Sequence, residues 1–228
     1  MTTDTPTQAS TAVAIDPASI ANPRFAMPAD DGAIERTAAA LRAKGYEVHV
    51  AQTVEEARDL IIGLLPEGAE VNQGASTTLD QLGVTAAIEE PGRFDAVRVR
   101  TRAMDRSTPD GLRAMRKLGV AADYHVNSAH AVTEDGILVI GSNTGSQLGP
   151  LAFGAGQVIF AIGSQKIVPD LATAFQRLDE YSLRLEGARM RELYGPEMRT
   201  AVNKLLVITK EFQPGRFTIV LIKPAIGF

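Results

Sequence analysis

The chain has 228 residues, of which 45% are hydrophobic and 22% are charged, a composition that suits one sizeable folded domain and excludes disorder throughout. It has no cysteine, which excludes disulfides, iron–sulfur ligation by this chain and a cysteine nucleophile. With a net charge of −4 and 5% aromatic residues, it lacks the basic face and the stacking surface of a nucleic-acid-binding protein.

The N-terminal segment lacks a targeting signal. Residues 1–21 are rich in Thr, Ser, Ala and Pro and offer little to bury, so we predict a flexible tail there and a single domain over residues 22–228. The tail has no basic start and no apolar core of signal length, and no apolar run approaches the ~20 residues of a membrane span. We therefore predict a cytoplasmic protein without membrane contact.

The first half of the chain alternates helices with strands. Apolar spacing and capping residues predict helices over 31–44, 54–65, 77–82 and 107–118. Thr53 with Glu56 forms a capping-box pattern at the second helix, and Gly119 ends the fourth. Short apolar segments predict strands over 46–50, 69–72 and 94–99.

The second half begins with short strands predicted over 123–127, 131–133 and 137–140. A continuous apolar run over 158–162 is typical of a strand covered on both faces, and a long helical region follows over 169–193. Two further strands, 205–209 and 217–222, are predicted to be joined by a turn. This order favours an α/β fold with a mainly parallel sheet flanked by helices, and a small antiparallel insertion near 123–145.

The loop after the second predicted strand is the first candidate site. Gly74 allows close backbone approach, and Ser76, Thr77 and Thr78 offer hydroxyls and amides at the start of a helix, where a phosphate or carboxylate can bind. It is not a Walker loop, because no lysine follows at the required spacing. The alternative is that Ser76 only caps the helix.

Two further polar segments follow predicted strands. Glu134 lies at a turn close in sequence to the polar loop that contains Asn143 and Thr144, and its carboxylate is a candidate general base, nucleophile or hydroxyl anchor. Lys166 follows the apolar strand at the end where parallel sheets bind ligands, and would attract an anion. The alternatives are an ordinary solvated hairpin turn and a solvated lysine at a helix start.

The remaining charged and metal-ligating residues give weaker signals. The three histidines match no zinc-site spacing, so neither a metal nor a cofactor is predicted. The stretch 93–117 is rich in arginine; it is either a docking patch, a flank of an anionic pocket, or a solvated face that pairs with acids elsewhere.

These motifs together resemble the LUD domain family, which includes one component of the bacterial lactate-utilisation complex. The resemblance covers residues 22–228 and is carried by Ala122-Asp123, by the run from Asn127 to Gly136, by 154–158 and 163–170, and by the ending from Pro214 to Phe228. Departures from the family pattern include His130 in place of asparagine, the segment 144–147 in place of Gly-Asn-Arg, and the missing cysteines of some relatives.

The resemblance implies a fold related to the sugar-phosphate isomerases and CoA transferases, in which the loop 73–78 would receive a phosphate. Ser76, Thr77 and Thr78 would then hold the anion, with Glu134 and Lys166 as partners across the pocket. It also implies association into a homo-oligomer. Because the cysteines are missing, an iron–sulfur or thiol-dependent role for this chain is unsupported.

The leading hypothesis is a LUD-type protein that binds or acts on a small anionic metabolite, a phosphate or a carboxylate, in lactate or organic-acid utilisation. Glu134 and Lys166 are its candidate catalytic residues, and Gly74, Ser76, Thr77, Thr78, Asn143 and Thr144 are its candidate ligand-binding residues. One alternative is a non-catalytic subunit that docks iron–sulfur partner subunits through the arginine-rich stretch, and another is a metabolite sensor. Whether the protein is an enzyme stays open.

Overall fold

The computed structural model describes residues 21–228, so the predicted tail lies outside the described residues except for its last one. The strands are β1 (Glu47–Ala51), β2 (Glu70–Gln73), β3 (Asp95–Ala96), β4 (Tyr124–Asn127), β5 (Ala131–Thr133), β6 (Leu138–Ser142), β7 (Gln157–Gly163), β8 (Ile167–Val168), β9 (Lys204–Ile208) and β10 (Phe217–Ile222). The α-helices are α1 (Asp31–Ala43), α2 (Val54–Gly63), α3 (Thr77–Gln81), α4 (Val84–Glu89), α5 (Val97–Arg102), α6 (Pro109–Val120), α7 (Leu171–Arg177) and α8 (Leu183–Tyr194). Single π-helical turns lie at Pro150–Gly154 and Leu178–Ser182.

The main sheet has six parallel strands in the order β1-β10-β7-β4-β2-β3. Its central strands β7 and β10 are buried on both faces, because successive side chains point to opposite sides and both sides are covered. One face packs against α2, α3 and α4, and the other packs against α1 and the second sheet. The predicted parallel α/β fold is confirmed.

The second sheet is smaller and mixed, in the order β8-β5-β6-β9. Strands β5 and β6 form an antiparallel hairpin whose turn contains Gly136 at φ 83°, a left-handed conformation that glycine adopts without strain. Strand β8 joins β5 in parallel, and β9 joins β6 antiparallel. The back of this sheet packs against α7 and the π-helical turn at Leu178–Ser182.

Three details of the predicted order are corrected by the structure. The segment 94–99 is a two-residue strand followed by helix α5: Val97 is buried whereas Val99, two residues further on, is 46% exposed, so the two do not share one face as they would in a strand. Residues 123–127 belong to the main sheet as β4 rather than to the antiparallel insertion. Strands β9 and β10 lie in different sheets, so the turn between them does not make a hairpin.

Candidate functional site

A cleft of ≈ 820 Å³ opens at the carboxyl edge of the main sheet. Its floor is formed by the ends of β2 and β4 and by the loop after β7. One wall comes from α5 and α6, and the other comes from the polar loop after β6 and the start of α8. A cleft outside the carboxyl ends of parallel strands is the usual place for a ligand in an α/β fold.

The cleft brings together most of the residues predicted from the sequence. Gly74, Ser76 and Thr77 line one side of it, and Asn143 and Thr144 line the other. Lys166 lies between these two groups, and the Oγ1 atom of Thr78 accepts a hydrogen bond of 2.8 Å from the Lys166 Nζ. The loops that follow β2, β6 and β7 therefore converge on one site.

Glu134 lies elsewhere. Its carboxylate accepts a hydrogen bond of 2.7 Å from Arg36 Nε on the first helix, at the surface, and it is not among the residues that line the cleft. The neighbouring Asp135 accepts a hydrogen bond from the Thr133 hydroxyl and so completes the hairpin turn. The structure thus separates Glu134 from the other predicted site residues.

Lys166 is the most unusual of the cleft residues. Its side chain is buried, and its Nζ donates to the hydroxyls of Thr78 (2.8 Å) and Ser128 (3.0 Å). No carboxylate in the described part of the chain pairs with it. Burial, reinforced by the charge of Arg177, lowers the pKa of Lys166 well below its usual value.

Arg177 and His130 lie close to Lys166. The buried Arg177 donates to the carbonyl oxygens of Gln165 (3.1 Å) and His130 and to the Ser182 hydroxyl (3.0 Å), so carbonyl dipoles rather than a carboxylate satisfy it. His130 Nδ1 accepts a bond of 3.2 Å from the Gly141 N–H. Burial and the cations Lys166 and Arg177 lower the pKa of His130 to about 3, so the ring is uncharged at neutral pH.

Gly74 is required by a close contact inside the cleft. A Cβ atom at this position would lie 2.5 Å from the Oδ1 atom of Asn127, which is itself held by the Ser128 N–H at 2.8 Å. Ser76 caps α3 at the same time, because its Oγ accepts from the Leu79 N–H at 3.5 Å. The capping interpretation of Ser76 therefore holds as well, and it does not prevent Ser76 from lining the cleft.

The charges that line the cleft are mostly positive. The basic side chains are those of Arg98, Arg106 and Arg116, together with the buried amine of Lys166. The one acidic side chain among the lining residues, Glu186, already pairs with Arg189 through two hydrogen bonds of 2.7 and 2.8 Å. The cleft of an acidic protein is thus a local concentration of positive charge.

Arg98 is the residue that site prediction missed. It lies on α5 beside the first candidate loop, where its Nη1 donates to the Gly74 carbonyl at 3.3 Å, and no described carboxylate forms an ion pair with it. Burial and the nearby Arg102 lower its pKa. The arginine-rich stretch is the available signal in the sequence, but a strand predicted over 94–99 gives no basis for choosing this arginine.

Four polar atoms on three buried side chains of the cleft lack a hydrogen-bond partner. Both ring nitrogens of His125, the Nδ2 of Asn127 and the Oε1 of Gln73 are unsatisfied. Burial, together with the charge of Arg216, lowers the pKa of His125 to about 3. These uncharged groups can both donate and accept, which suits a hydroxyl or amide of a ligand or ordered water.

Two other features are absent from the described residues. Over residues 21–228, no group of three or more His, Asp or Glu side chains is arranged to hold a metal ion. Within the same range, no helix is long and apolar enough to cross a membrane.

The fold is that of a parallel α/β protein with a positively charged cleft at its carboxyl edge. A family model of the LUD domain matches residues 34–222, and the chain belongs to the LUD domain family. No curated protein matches the chain. The resemblance inferred from the sequence motifs is confirmed.

Solved structures support the fold. A DUF162 family protein from Deinococcus radiodurans is 12% identical, covers 84% of this chain and 96% of its own, and superposes with a TM-score of 0.51. At this identity the likeness concerns the fold alone. The eIF2B delta of Chaetomium thermophilum is 12% identical over 64% of this chain and 54% of its own, with a TM-score of 0.32, which is too low to carry an argument.

Proposed function

We propose that the cleft binds a small organic anion, a carboxylate or a phosphate, and that Arg98 is its principal charged anchor. The observation that carries this proposal is the charge of the lining: three arginines, with the buried Lys166 amine beside them, against one acidic side chain that is already paired. The protein as a whole has a net charge of −4, so the positive side chains of the cleft do not follow from its overall charge. An anionic ligand would account for them.

Arg98 suits this role because its guanidinium is charged, half-buried and unpaired by any described carboxylate. A guanidinium offers a planar fork of donors that matches a carboxylate or a phosphate. The neighbouring arginines Arg106 and Arg116 are exposed at the mouth of the cleft, where they attract anions from solution. The backbone and hydroxyls of Gly74, Ser76 and Thr77 lie beside Arg98 and complete the anion side.

The opposite side of the cleft is polar but uncharged apart from Lys166. Asn143 and Thr144 line it, and the floor presents the unsatisfied ring nitrogens of His125 and the unsatisfied Nδ2 of Asn127. A ligand with an anionic end and a neutral polar end fits this division. Membership of the LUD family supports a role related to lactate utilisation, and small hydroxy and oxo acids have this combination of groups.

The test is titration calorimetry of the wild-type protein and two variants with pyruvate, L-lactate and inorganic phosphate. We expect Arg98→Gln to weaken binding roughly ten- to a hundredfold, as a lost charged hydrogen bond contributes about 1.5–3 kcal/mol. Arg100→Gln is the matched control on the same helix, because Arg100 already pairs with Glu70 (2.9 Å) and Asp95 (2.6 Å) away from the cleft.

Equal binding by the wild type and Arg98→Gln would refute the role of Arg98. If none of the three anions binds the wild-type protein, the ligand class proposed here is wrong, and the non-catalytic partner of an iron–sulfur protein becomes the better hypothesis. Co-purification of a cysteine-rich partner from the native cell would then be the next observation to seek.

A further inference from the structure

Lys166 differs from every other lysine of the chain. The sequence has six lysines, and the other five are half-buried or exposed in the structure, whereas Lys166 is 1% exposed. It is also the lysine whose side chain reaches the floor of the cleft. A titratable group that is buried next to a cleft is a candidate for a chemical role.

The surroundings of the Lys166 nitrogen suit an uncharged amine. Its two partners are the hydroxyls of Thr78 and Ser128, which can either accept or donate a hydrogen bond. No described carboxylate compensates a positive charge on the nitrogen. The buried Arg177 stands behind it and disfavours a second cation. Desolvation and a neighbouring cation are the two conditions that turn a lysine into a nucleophile.

The anion site and the amine are joined by a short series of contacts. Arg98 donates to the Gly74 carbonyl, Gly74 packs against the Asn127 amide, Asn127 accepts from the Ser128 N–H, and the Ser128 hydroxyl accepts from Lys166. These contacts follow the floor of the cleft. A small molecule anchored by its negative charge is thereby directed along this floor towards the amine.

We propose that Lys166 forms an imine with the carbonyl carbon of a small anionic carbonyl compound, a 2-oxo acid or an aldehyde that carries a carboxylate or phosphate. The inference rests on the proposed function, because anion binding by Arg98 delivers the compound. It gives the cleft a covalent step in addition to binding.

The step balances without any oxidant or reductant. The Lys166 nitrogen attacks the carbonyl carbon and forms a C–N bond, and the carbonyl oxygen takes up a proton as the nitrogen loses one. The C–O bond of this carbinolamine then breaks, and the oxygen leaves as water with a second proton. The products are the imine and one water molecule, and the hydroxyls of Ser128 and Thr78 are placed to pass the protons.

The experiment traps the imine on the full chain with sodium cyanoborohydride, in separate samples with pyruvate, succinate semialdehyde and glyceraldehyde 3-phosphate. Peptide mapping by mass spectrometry then locates the reduced adduct. We expect Lys166 to be modified before Lys204 with at least one probe, because a buried amine next to a bound anion reacts in preference to a solvated ammonium group. Lys204 is an exposed internal control whose Nζ donates to the Thr144 carbonyl at the rim.

Two variants separate the amine from the anion site. Lys166→Arg keeps a hydrogen-bond donor for Thr78 and Ser128 but cannot form an imine, so its map is expected to lack the adduct at residue 166. Arg98→Gln is expected to slow adduct formation with the anionic probes roughly tenfold or more. Arg100→Gln, whose arginine pairs with Glu70 and Asp95 away from the cleft, is expected to leave the rate unchanged. The wild-type map is decisive by itself if Lys166→Arg does not fold.

The inference is overturned if no probe modifies Lys166, or if Lys166 reacts no faster than Lys204. When this happens while the anions still bind in calorimetry, the imine fails and the proposed function survives. When anion binding fails as well, both are contradicted.

Discussion

At the scale of single residues, one nitrogen atom organises the floor of the cleft. Lys166 follows β7, and its hydroxyl partners Ser128 and Thr78 follow the neighbouring strands β4 and β2. The amine therefore ties together the loops of three adjacent strands. This network keeps the floor ordered although its lysine has no ionic partner among the described residues, and it holds the Lys166 nitrogen in one position.

Replacement of Gly74 by alanine tests how closely the site is packed. The new Cβ would lie 2.5 Å from Asn127 Oδ1, so either the loop or the amide must move. We expect a loss of about 1–3 kcal/mol in the free energy of unfolding, measured by urea denaturation, together with weaker anion binding.

Gly63→Ala is the matched control for this prediction. Gly63 ends α2, and a Cβ there meets nothing within 4 Å, so alanine is expected to be neutral or to stabilise by up to about 1 kcal/mol through helix propensity. If the two variants had the same stability, the close contact at Gly74 would carry no weight.

The buried histidine of β4 predicts a pH dependence of stability. The pKa of His125 falls to about 3 in the folded protein, whereas an exposed histidine has a pKa near 6.5. As the pH falls below 6.5, His125 takes up a proton in the unfolded chain but stays neutral in the native protein. The free energy of unfolding therefore declines. The slope contributed by this residue approaches ~1.4 kcal/mol per pH unit.

The His125→Asn variant removes this contribution. Between pH 6.5 and 5 its free energy of unfolding is expected to fall less steeply than that of the wild type, and above pH 7.5 the two curves should run parallel. His130 is retained in both proteins and adds the same slope to each. Parallel curves through the acidic range would show that the His125 ring is protonated in the native state.

At the scale of elements, the cleft is flanked by two helices that bury none of their residues. Neither α6 nor α8 has a fully buried side chain, although Met115 and Arg116 of α6 and Leu183 of α8 reach the cleft. The main sheet behind them is completely buried along β10. Local stability should follow this contrast, because buried apolar contacts set the free energy of local opening.

Hydrogen exchange tests this contrast directly. We expect the amides of β7 and β10 to exchange slowest and those of α6 to be among the fastest of the helical amides. Addition of an anion that binds the cleft should slow exchange in α6, since Arg116 would then have a partner. Exchange in α6 as slow as in β10 would contradict this account of the cleft wall.

Helices and loops also show where sequence reasoning succeeds and where it fails. The loop after β2 and the lysine after β7 are recognisable because strand ends and polar residues coincide there. Arg98 is not, because the segment 94–99 has the apolar residues of a strand but becomes helical from Val97 onward. Glu134 is close in sequence to residues of the cleft, but the hairpin turn places its carboxylate next to Arg36 instead.

At the scale of the whole molecule, the fold could be predicted more fully than the site. The strand and helix order indicates the parallel α/β class, because hydrophobic periodicity is a local property. The division of strands between two sheets depends on long-range pairing, and the turn between 209 and 217 gives no sign that β9 and β10 separate. The burial of His125 and the hydrogen-bond partners of Lys166 depend on the same long-range pairing.

The distribution of charge gives the whole molecule its functional character. The net charge is −4, yet the cations of the cleft lining outnumber its single, paired carboxylate. A surface of one sign around a cleft of the other sign favours a small anion in the cleft over a polyanion on the surface. The central claim is therefore that this molecule holds a small anion.

The most direct test is the unfolding temperature of the wild-type protein as a function of pyruvate, L-lactate or phosphate concentration, at constant ionic strength adjusted with chloride. We predict a rise that continues with the logarithm of the concentration, corresponding to roughly 2.7 kcal/mol at a hundred times the dissociation constant. An unfolding temperature that stays at its value in chloride for all three anions would contradict the account.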